Sequence, residues 1–401
     1  MIKRLLRTIL LAMITISMVM GGFGCGDDNE KHGLGSTWEE ILTLARDEGV
    51  VTIYTGLDTV TTVHMLASAM QEYGIVLRNQ SLHYREIMDK LQVEAAANVP
   101  ICDIAGVTLG YMLSESNSDY WEDYRVLPNI EAITSNGEET NWKIAPNHYP
   151  YGYVYHSGTP RGIAFNINNI DTAGIASPHS WEDLASEDYY GKIVMSDPAI
   201  YGSGFSKIAA QLYYGPMGIN GTEVFDREWL KGVLKNMYIS DGVLSIENGL
   251  VHGQHTIHIP ANLSAVYMDL AQDNTHPVGW RYPDEGAYLT PTTLIPIKNA
   301  RHPNAAAVLL NYIFSEAGQM AIAAGMSIPV MEGLDIQEQY MYAGSDWGNY
   351  ADFMYEATPL DPYPQDVSWV EEKEKAIVEI INEIKEELQT EGEWNNYQWI
   401  P

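Results

Sequence analysis

The chain is short of positive charge, of cysteine and of phenylalanine, and each shortage narrows what it can do. Lys and Arg number 22 against 53 Asp and Glu, for a formal net charge of −31. A protein that grips a phosphate backbone needs a basic face, so nucleic acid is excluded as a partner. Polybasic attachment to anionic lipid is excluded on the same ground. Two cysteines cannot build a disulfide scaffold. There is no Gly-x-Ser-x-Gly elbow, no His-Glu-x-x-His pair, no P-loop and no repeat of fixed period. Nothing therefore points to catalysis or to a cofactor. Only 6 Phe stand beside 26 Tyr and 10 Trp, a bias toward rings with a polar handle that suit half-wet clefts. What remains is 401 residues, 46% of them hydrophobic, enough for two domains with their own cores.

The first 25 residues read as an export signal. Lys3, Arg4 and Arg7 precede an apolar or small run, Thr8–Met20, which is short for a span that needs ~20 apolar residues. Gly24-Cys25 followed by Gly26-Asp27-Asp28 resembles a bacterial lipobox, with Gly22 where that box usually has Leu. The resemblance implies a signal peptide over 1–24 and lipidation of Cys25. Cleavage removes three basic residues and leaves Cys102 as the one free thiol, in an apolar stretch where a cysteine fills a core. Residues 25–36, with Lys31-His32-Gly33-Leu34-Gly35-Ser36, read as a polar tether.

The rest alternates strand and helix signals. Thr37-Trp38-Glu39-Glu40 has capping-box spacing ahead of Ile41, Leu42 and Ala45, and Gly49 stops that helix. Val50–Tyr54 is β-branched and bounded by glycine, as is a buried strand. Val63, Leu66 and Met70 mark a helix, Ile75–Leu77 a strand, Ile87, Leu91 and Ala95 a helix, and Ile101–Val107 a strand. The same grammar returns in Gly162–Ile167, in the capping box Ser180-Trp181-Glu182-Asp183, in Gly191–Met195, and in Gly202-Ser203-Gly204 ahead of a helical run through Ile208, Ala209 and Leu212. Leu294–Ile297 reads as a strand and Asn304–Phe314 as a helix. This order predicts an α/β fold with mostly parallel sheets. Over Val370–Leu388, Ile377, Ile380, Ile381, Ile384 and Leu388 form one apolar stripe, the pattern of a packing helix.

Several segments together resemble the extracellular solute-binding proteins of bacterial ABC importers, in the branch of ferric-iron and phosphonate binders. They are Glu48-Gly49-Val50-Val51-Thr52-Ile53-Tyr54-Thr55-Gly56; Ser180-Trp181-Glu182-Asp183-Leu184 with Tyr190-Gly191-Lys192-Ile193 and Asp197-Pro198; and Ala300-Arg301-His302-Pro303-Asn304-Ala305-Ala306 with Ser315-Glu316-Ala317-Gly318-Gln319. The match spans about Thr37 to Val330. It implies a two-lobed periplasmic-binding-protein-like fold of type II, with lobe 1 over 37–155 and 288–335, lobe 2 over 156–287 and a helical extension over 336–401. It also implies a monomer outside the cytoplasm that takes a small-molecule ligand to an importer permease.

Ligands of such sheets sit beyond the carboxyl ends of strands, near helix N-termini. That rule selects Tyr54, Thr55 and Gly56 after the first strand, Gly106, Val107 and Thr108 after the third, and Ser203, Gly204 and Phe205 at a helix start. Glu285 lies at the return crossing and can face the cleft. Ferric binders of the branch use adjacent tyrosines, but that register here falls on Ala265 and Val266, with Tyr267 alone nearby. One phenolate is a poor basis for Fe³⁺, which wants several anionic oxygens. The favoured ligand is therefore a small compound bearing a phosphonate, phosphate ester or carboxylate. Ferric iron, a ligand-presenting sensory receptor and a secreted hydrolase stand as alternatives. His252, His255 and His258 are spaced so that the last two point to opposite faces of a strand, which argues against a metal site. Tyr149, Tyr151, Tyr153 and Tyr155 would share one face, either lining the cleft or packing a hinge.

Overall fold

The computed structural model describes residues 33–55, 60–82, 84–109, 112, 120–124, 127–135, 152–156, 158, 160–200, 204–219, 224–240, 243–263, 266, 275–289, 291–325, 327–334 and 367–394. The first helix, α1 (Trp38–Glu48), starts where Thr37 accepts the Glu40 N–H and stops at Gly49, whose φ of 65° suits glycine. There follow β1 (Val50–Thr55), α2 (Val60–Glu72), β2 (Val76–Ser81), α3 (Tyr84–Ala97), β3 (Ile104–Thr108), α4 (Pro128–Ser135) and β4 (Tyr153–His156). The chain then runs through β5 (Arg161–Asn166), α5 (Ile167–Ala173), β6 (Ile193–Met195), α6 (Gly204–Tyr214), α7 (Arg227–Asn236), β7 (Met237–Ile239), α8 (Val243–Val251), β8 (Ile257–Asn262) and β9 (Val278–Arg281). It ends with β10 (Thr292–Pro296), α9 (Pro303–Ile313), α10 (Glu316–Ala324) and α11 (Val367–Glu391). The second capping box forms as read, with the Ser180 and Asp183 side chains accepting each other's N–H, but it opens a short 3₁₀ turn, Glu182–Ala185.

The strands form two five-stranded sheets, β2-β1-β3-β10-β4 and β7-β6-β8-β5-β9. Both are mixed, which corrects the expectation of mostly parallel pairing. In the first, β1 is parallel to β2 and β3, while β10 is antiparallel to β3 and β4. In the second, β6 is parallel to β7 and β8, while β5 is antiparallel to β8 and β9. The physical reason is the path of the chain. β5 enters the second sheet from the first, and β10 returns, so each begins at the edge where its neighbours end.

Each sheet is covered on both faces. α1, α2 and α9 bury Ile53, Ile104 and Leu294 on one face of the first sheet. α3 and Trp121 bury Tyr54, Ala105 and Val107 on the other. Under the second sheet, Ile163, Ile193, Ile257 and Ile259 meet α6, α7 and α11. Its opposite face packs Ala164, Ala261 and Trp280 against Ala323, Ile328 and Leu334. The helix expected as an extension thus completes a core: Ile377, Ile381, Ile384 and Leu388 are fully buried there, and Ile380 half-buried. Cys102 is buried, with its thiol on the Ile104 carbonyl, as a core filler.

Candidate functional site

The strand directions place the two carboxyl-end edges together. β4 ends at His156 on that edge of the first sheet, and β5 begins at Arg161 on that edge of the second, opposite Asn262 at the end of β8. The return path leaves β9 at Arg281 and re-enters the first sheet at Thr292, opposite Thr108. Both crossings therefore join carboxyl edges, where ligands of open α/β sheets bind. They are cross-tied: Arg161 N–H donates to the Tyr288 carbonyl, and Ile328 N–H to the Gly158 carbonyl.

On the first sheet this edge carries Thr55, Gly106, Thr108 and Thr292. Thr55 leans on Gly106 so closely that an added Cβ there would lie 2.6 Å from its Oγ1, which only glycine permits. Thr108 and Thr292 are paired and nearly buried. Tyr54 and Val107 point the other way, into the α3 core. The Tyr54 hydroxyl donates to Glu94 Oε1 at 2.6 Å, and Lys90 Nζ lies 4.7 Å from its ring centre. Burial, then the bond to Glu94, raises that phenol well above its usual range. Glu94 is itself spent on the Ile101 and Cys102 N–H groups. Tyr54 and Val107, selected for their place at strand ends, thus turn their side chains away from the Thr55 and Thr108 face, because alternate residues of a strand face opposite sides. Both can offer backbone only.

On the second sheet, the first turn of α6 stands beside Arg161. A Cβ added at Gly204 would lie 2.7 Å from Cγ of Pro260 and 3.6 Å from Arg161 Nη1. A side chain at 204 would crowd the Pro260 ring, and the guanidinium lies beside Gly204 in the first turn of α6. Ion pairs among the described residues engage Arg227, Lys231, Lys235, His302, Lys373 and Lys385, and none engages Arg161. This half-buried cation thus has no carboxylate partner among the described residues. Burial and then the Arg161 charge hold the imidazole of His258 down at about 3.

Phe205, one residue into α6, is corrected from edge to core: it is fully buried against Trp229. Glu285 is a cap rather than a cleft wall. Its two oxygens accept the Trp181 and Glu182 N–H groups at 2.9 and 3.0 Å. Burial outweighs those bonds and raises its carboxyl. Gly56, Ser203, Tyr267 and Cys25 lie outside the described residues, as do Ala265, Tyr149 and Tyr151. Tyr153 and Tyr155 are buried in the first core, the packed of the two arrangements foreseen for that face. His255 bonds Tyr238 through Nδ1 at 2.6 Å, while His258 is buried further along the chain. Among the described residues no three His, Cys, Asp or Glu side chains come together as metal ligands.

Sequence reasoning missed Arg161. It stands one residue before the strand read over Gly162–Ile167, and the available signal was a basic residue at a lobe crossing in a chain with few.

Among the solved structures that resemble this one, one holds fructose-6-phosphate and another holds iron. The periplasmic binding protein AfuA from Actinobacillus pleuropneumoniae, with exogenous fructose-6-phosphate bound, is 19% identical with a TM-score of 0.58, over 85% of this chain and 99% of that one. Iron-bound HitA from Pseudomonas aeruginosa is 18% identical with a TM-score of 0.59, over 84% and 99%. The ferric binding protein from Campylobacter jejuni is 17% identical with a TM-score of 0.57, over 83% and 99%. No curated protein sequence matches the chain. The family model of the bacterial extracellular solute-binding proteins matches residues 117–351, more than half of the chain. With two α/β sheets joined at their carboxyl edges, the chain belongs to that family, the extracytoplasmic proteins that bind small ligands and deliver them to ABC importers.

Proposed function

We propose that this protein is a lipid-anchored monomer that captures a small solute through an anionic group and passes it to its permease without chemical turnover. The observation that carries the anion is Arg161, a guanidinium with no ion-pair partner among the described residues, beside the N-terminus of α6. The dipole of a helix favours negative charge at its N-terminus, and arginine presents a planar fork to phosphate or carboxylate oxygens. In this reading Ser203, Gly204 and Arg161 hold the anion. Thr55, Gly56, Gly106 and Thr108 contact the remainder from the first sheet, with Tyr267 as a further contact. Tyr54, Val107, Phe205 and Glu285 support these edges from behind.

The fructose-6-phosphate of the AfuA structure is a phosphate ester, which supports this class. The iron of HitA supports ferric iron as the second reading. A thermal-shift panel of phosphate esters, phosphonates, carboxylates and ferric salts separates them. A compound present at 100 times its Kd stabilises by about 2.7 kcal/mol. We expect phosphate esters or phosphonates to give that shift. A coloured ferric complex that bleaches in Tyr267→Phe, with no anionic compound active, would reject the anion. Conversion of the bound compound to product would reject a role without turnover.

The anchor is tested separately. Cys25 is the expected lipid attachment site, so Cys25→Ala should move the protein from the membrane to the soluble fraction. Equal membrane retention of the two would reject lipidation.

A further inference from the structure

Lys385 of the C-terminal helix, 188 residues distant in sequence, reaches the loop that leads from β6 to α6. Its Nζ lies 3.1 Å from Oδ1 and 3.2 Å from Oδ2 of Asp197, and 5.3 Å from the centre of the Trp394 ring. Asp197 is not a passive partner. Its Oδ1 also accepts the Ala199 N–H at 3.0 Å, and its carbonyl accepts the Ile200 N–H at 3.3 Å. Asp197-Pro198-Ala199-Ile200 is thus a turn closed twice by its first residue, with Pro198 fixing the second position. The turn begins two residues after β6 ends on the carboxyl edge. Its last residue, Ile200, is four residues before Gly204, where α6 begins beside Arg161.

The two ends of this contact are not equally free to move. α11 is held by four fully buried apolar side chains, Ile377, Ile381, Ile384 and Leu388. Lys385 follows Ile384 directly and its side chain is 17% exposed. The other described ion pairs that tie α11 and the residues after it to another element, Arg227 and Lys231 with Glu387, Lys231 with Glu391, and Lys235 with Glu393, all come from α7. Only the Lys385–Asp197 pair among the described ion pairs joins α11 to the loop before α6.

We propose that Lys385 is a positioning residue for ligand binding: from the rigid C-terminal helix it fixes the Asp197 turn, and through it the start of α6 where the anion is held. The inference rests on the anion reading above. An interaction of this kind, acting through a loop on a site it does not touch, is worth about three- to thirtyfold in affinity.

The test compares Lys385→Met with Lys231→Met, which breaks pairs to the same helix from α7, and with Lys385→Arg. Hydrogen exchange of the peptide Ile193–Ile200 is followed without ligand, and binding of inorganic phosphate by titration. Lys385→Met should speed exchange in that peptide at least several-fold and weaken phosphate about three- to thirtyfold. Lys231→Met should do neither, and Lys385→Arg should restore both. Unchanged exchange in Lys385→Met, or equal loss of phosphate affinity in Lys231→Met, overturns the proposal. If the wild type binds no phosphate, the anion reading is what fails, and the exchange result still decides whether Lys385 fixes the turn.

Discussion

At pH 5 the protein is expected to be about 4 kcal/mol less stable than at pH 7.5, the sum of two buried histidines at about 2 kcal/mol each. His156 ends β4 and accepts the Gly158 N–H at Nδ1. His258 lies inside the second sheet with its Nδ1 unbonded. Burial lowers both imidazoles from 6.5 to about 3 in the folded protein, helped at His258 by Arg161. The sign follows from proton counting. Between pH 6.5 and 3 the unfolded chain holds protons that the folded chain does not, so stability is complete above 6.5 and falls as pH drops toward 3. Buried Glu48 and Glu285, whose carboxyls are raised by burial, work in the opposite sense, because their folded forms take up protons first. Their uptake begins above the ordinary carboxylate range and subtracts from the loss, so the histidine part is read as the share of the pH slope that the two histidine variants remove. Urea titrations at the two pH values should show the loss. His156→Gln and His258→Gln should each remove about half of it, even where the variant is less stable at pH 7.5. Equal stability at both pH values, or a pH slope untouched in both variants, contradicts this account.

Arg161→Gln is expected to weaken an anionic ligand by about 1.5–3 kcal/mol, or roughly ten- to a hundredfold, the range for a hydrogen bond to a charged group. Ser203→Ala should cost less, since one hydroxyl is lost and the charge remains. The ligand-free protein should not be weakened by Arg161→Gln. The guanidinium has no ion-pair partner to lose among the described residues, and a cation at a helix N-terminus opposes the dipole by about 0.3–1 kcal/mol. A variant that melts at the same or a higher temperature yet binds worse is the signature of a residue held in place for ligand. A variant that melts lower and binds as well would make Arg161 structural.

Much of this frame could be read from residues. Val50–Tyr54 gave β1 because β-branched residues between glycines suit a buried strand, and the stripe Ile377-Ile381-Ile384-Leu388 gave a packed helix. Thr37 and Gly49 set the ends of α1 as their chemistry dictates. The site was legible only as a set of edges. Strand signals located Thr55, Gly106 and Gly204, but which face each neighbour takes depends on partners far along the chain. Tyr54 turns inward to meet Glu94, forty residues on, and Glu285 is drawn to the N–H groups of Trp181 and Glu182. The reversed strands β5 and β10 follow from the crossings, which no local pattern announces. Arg161 became visible only in the fold, which sets it beside Gly204 and leaves it without an ion pair among the described residues, a property not of its own segment.

The central claim is that the ligand's negative charge is held at Arg161 and the start of α6. Isothermal titration of the wild type and of Arg161→Gln, with the tightest-binding phosphate ester or phosphonate and with the same compound lacking its anionic group, tests it most directly. The account predicts that the wild type binds the anionic compound, that removing the anionic group abolishes binding, and that Arg161→Gln loses roughly ten- to a hundredfold for the anionic compound. Equal binding of the compound without its anionic group, or an undiminished affinity in Arg161→Gln, would contradict it.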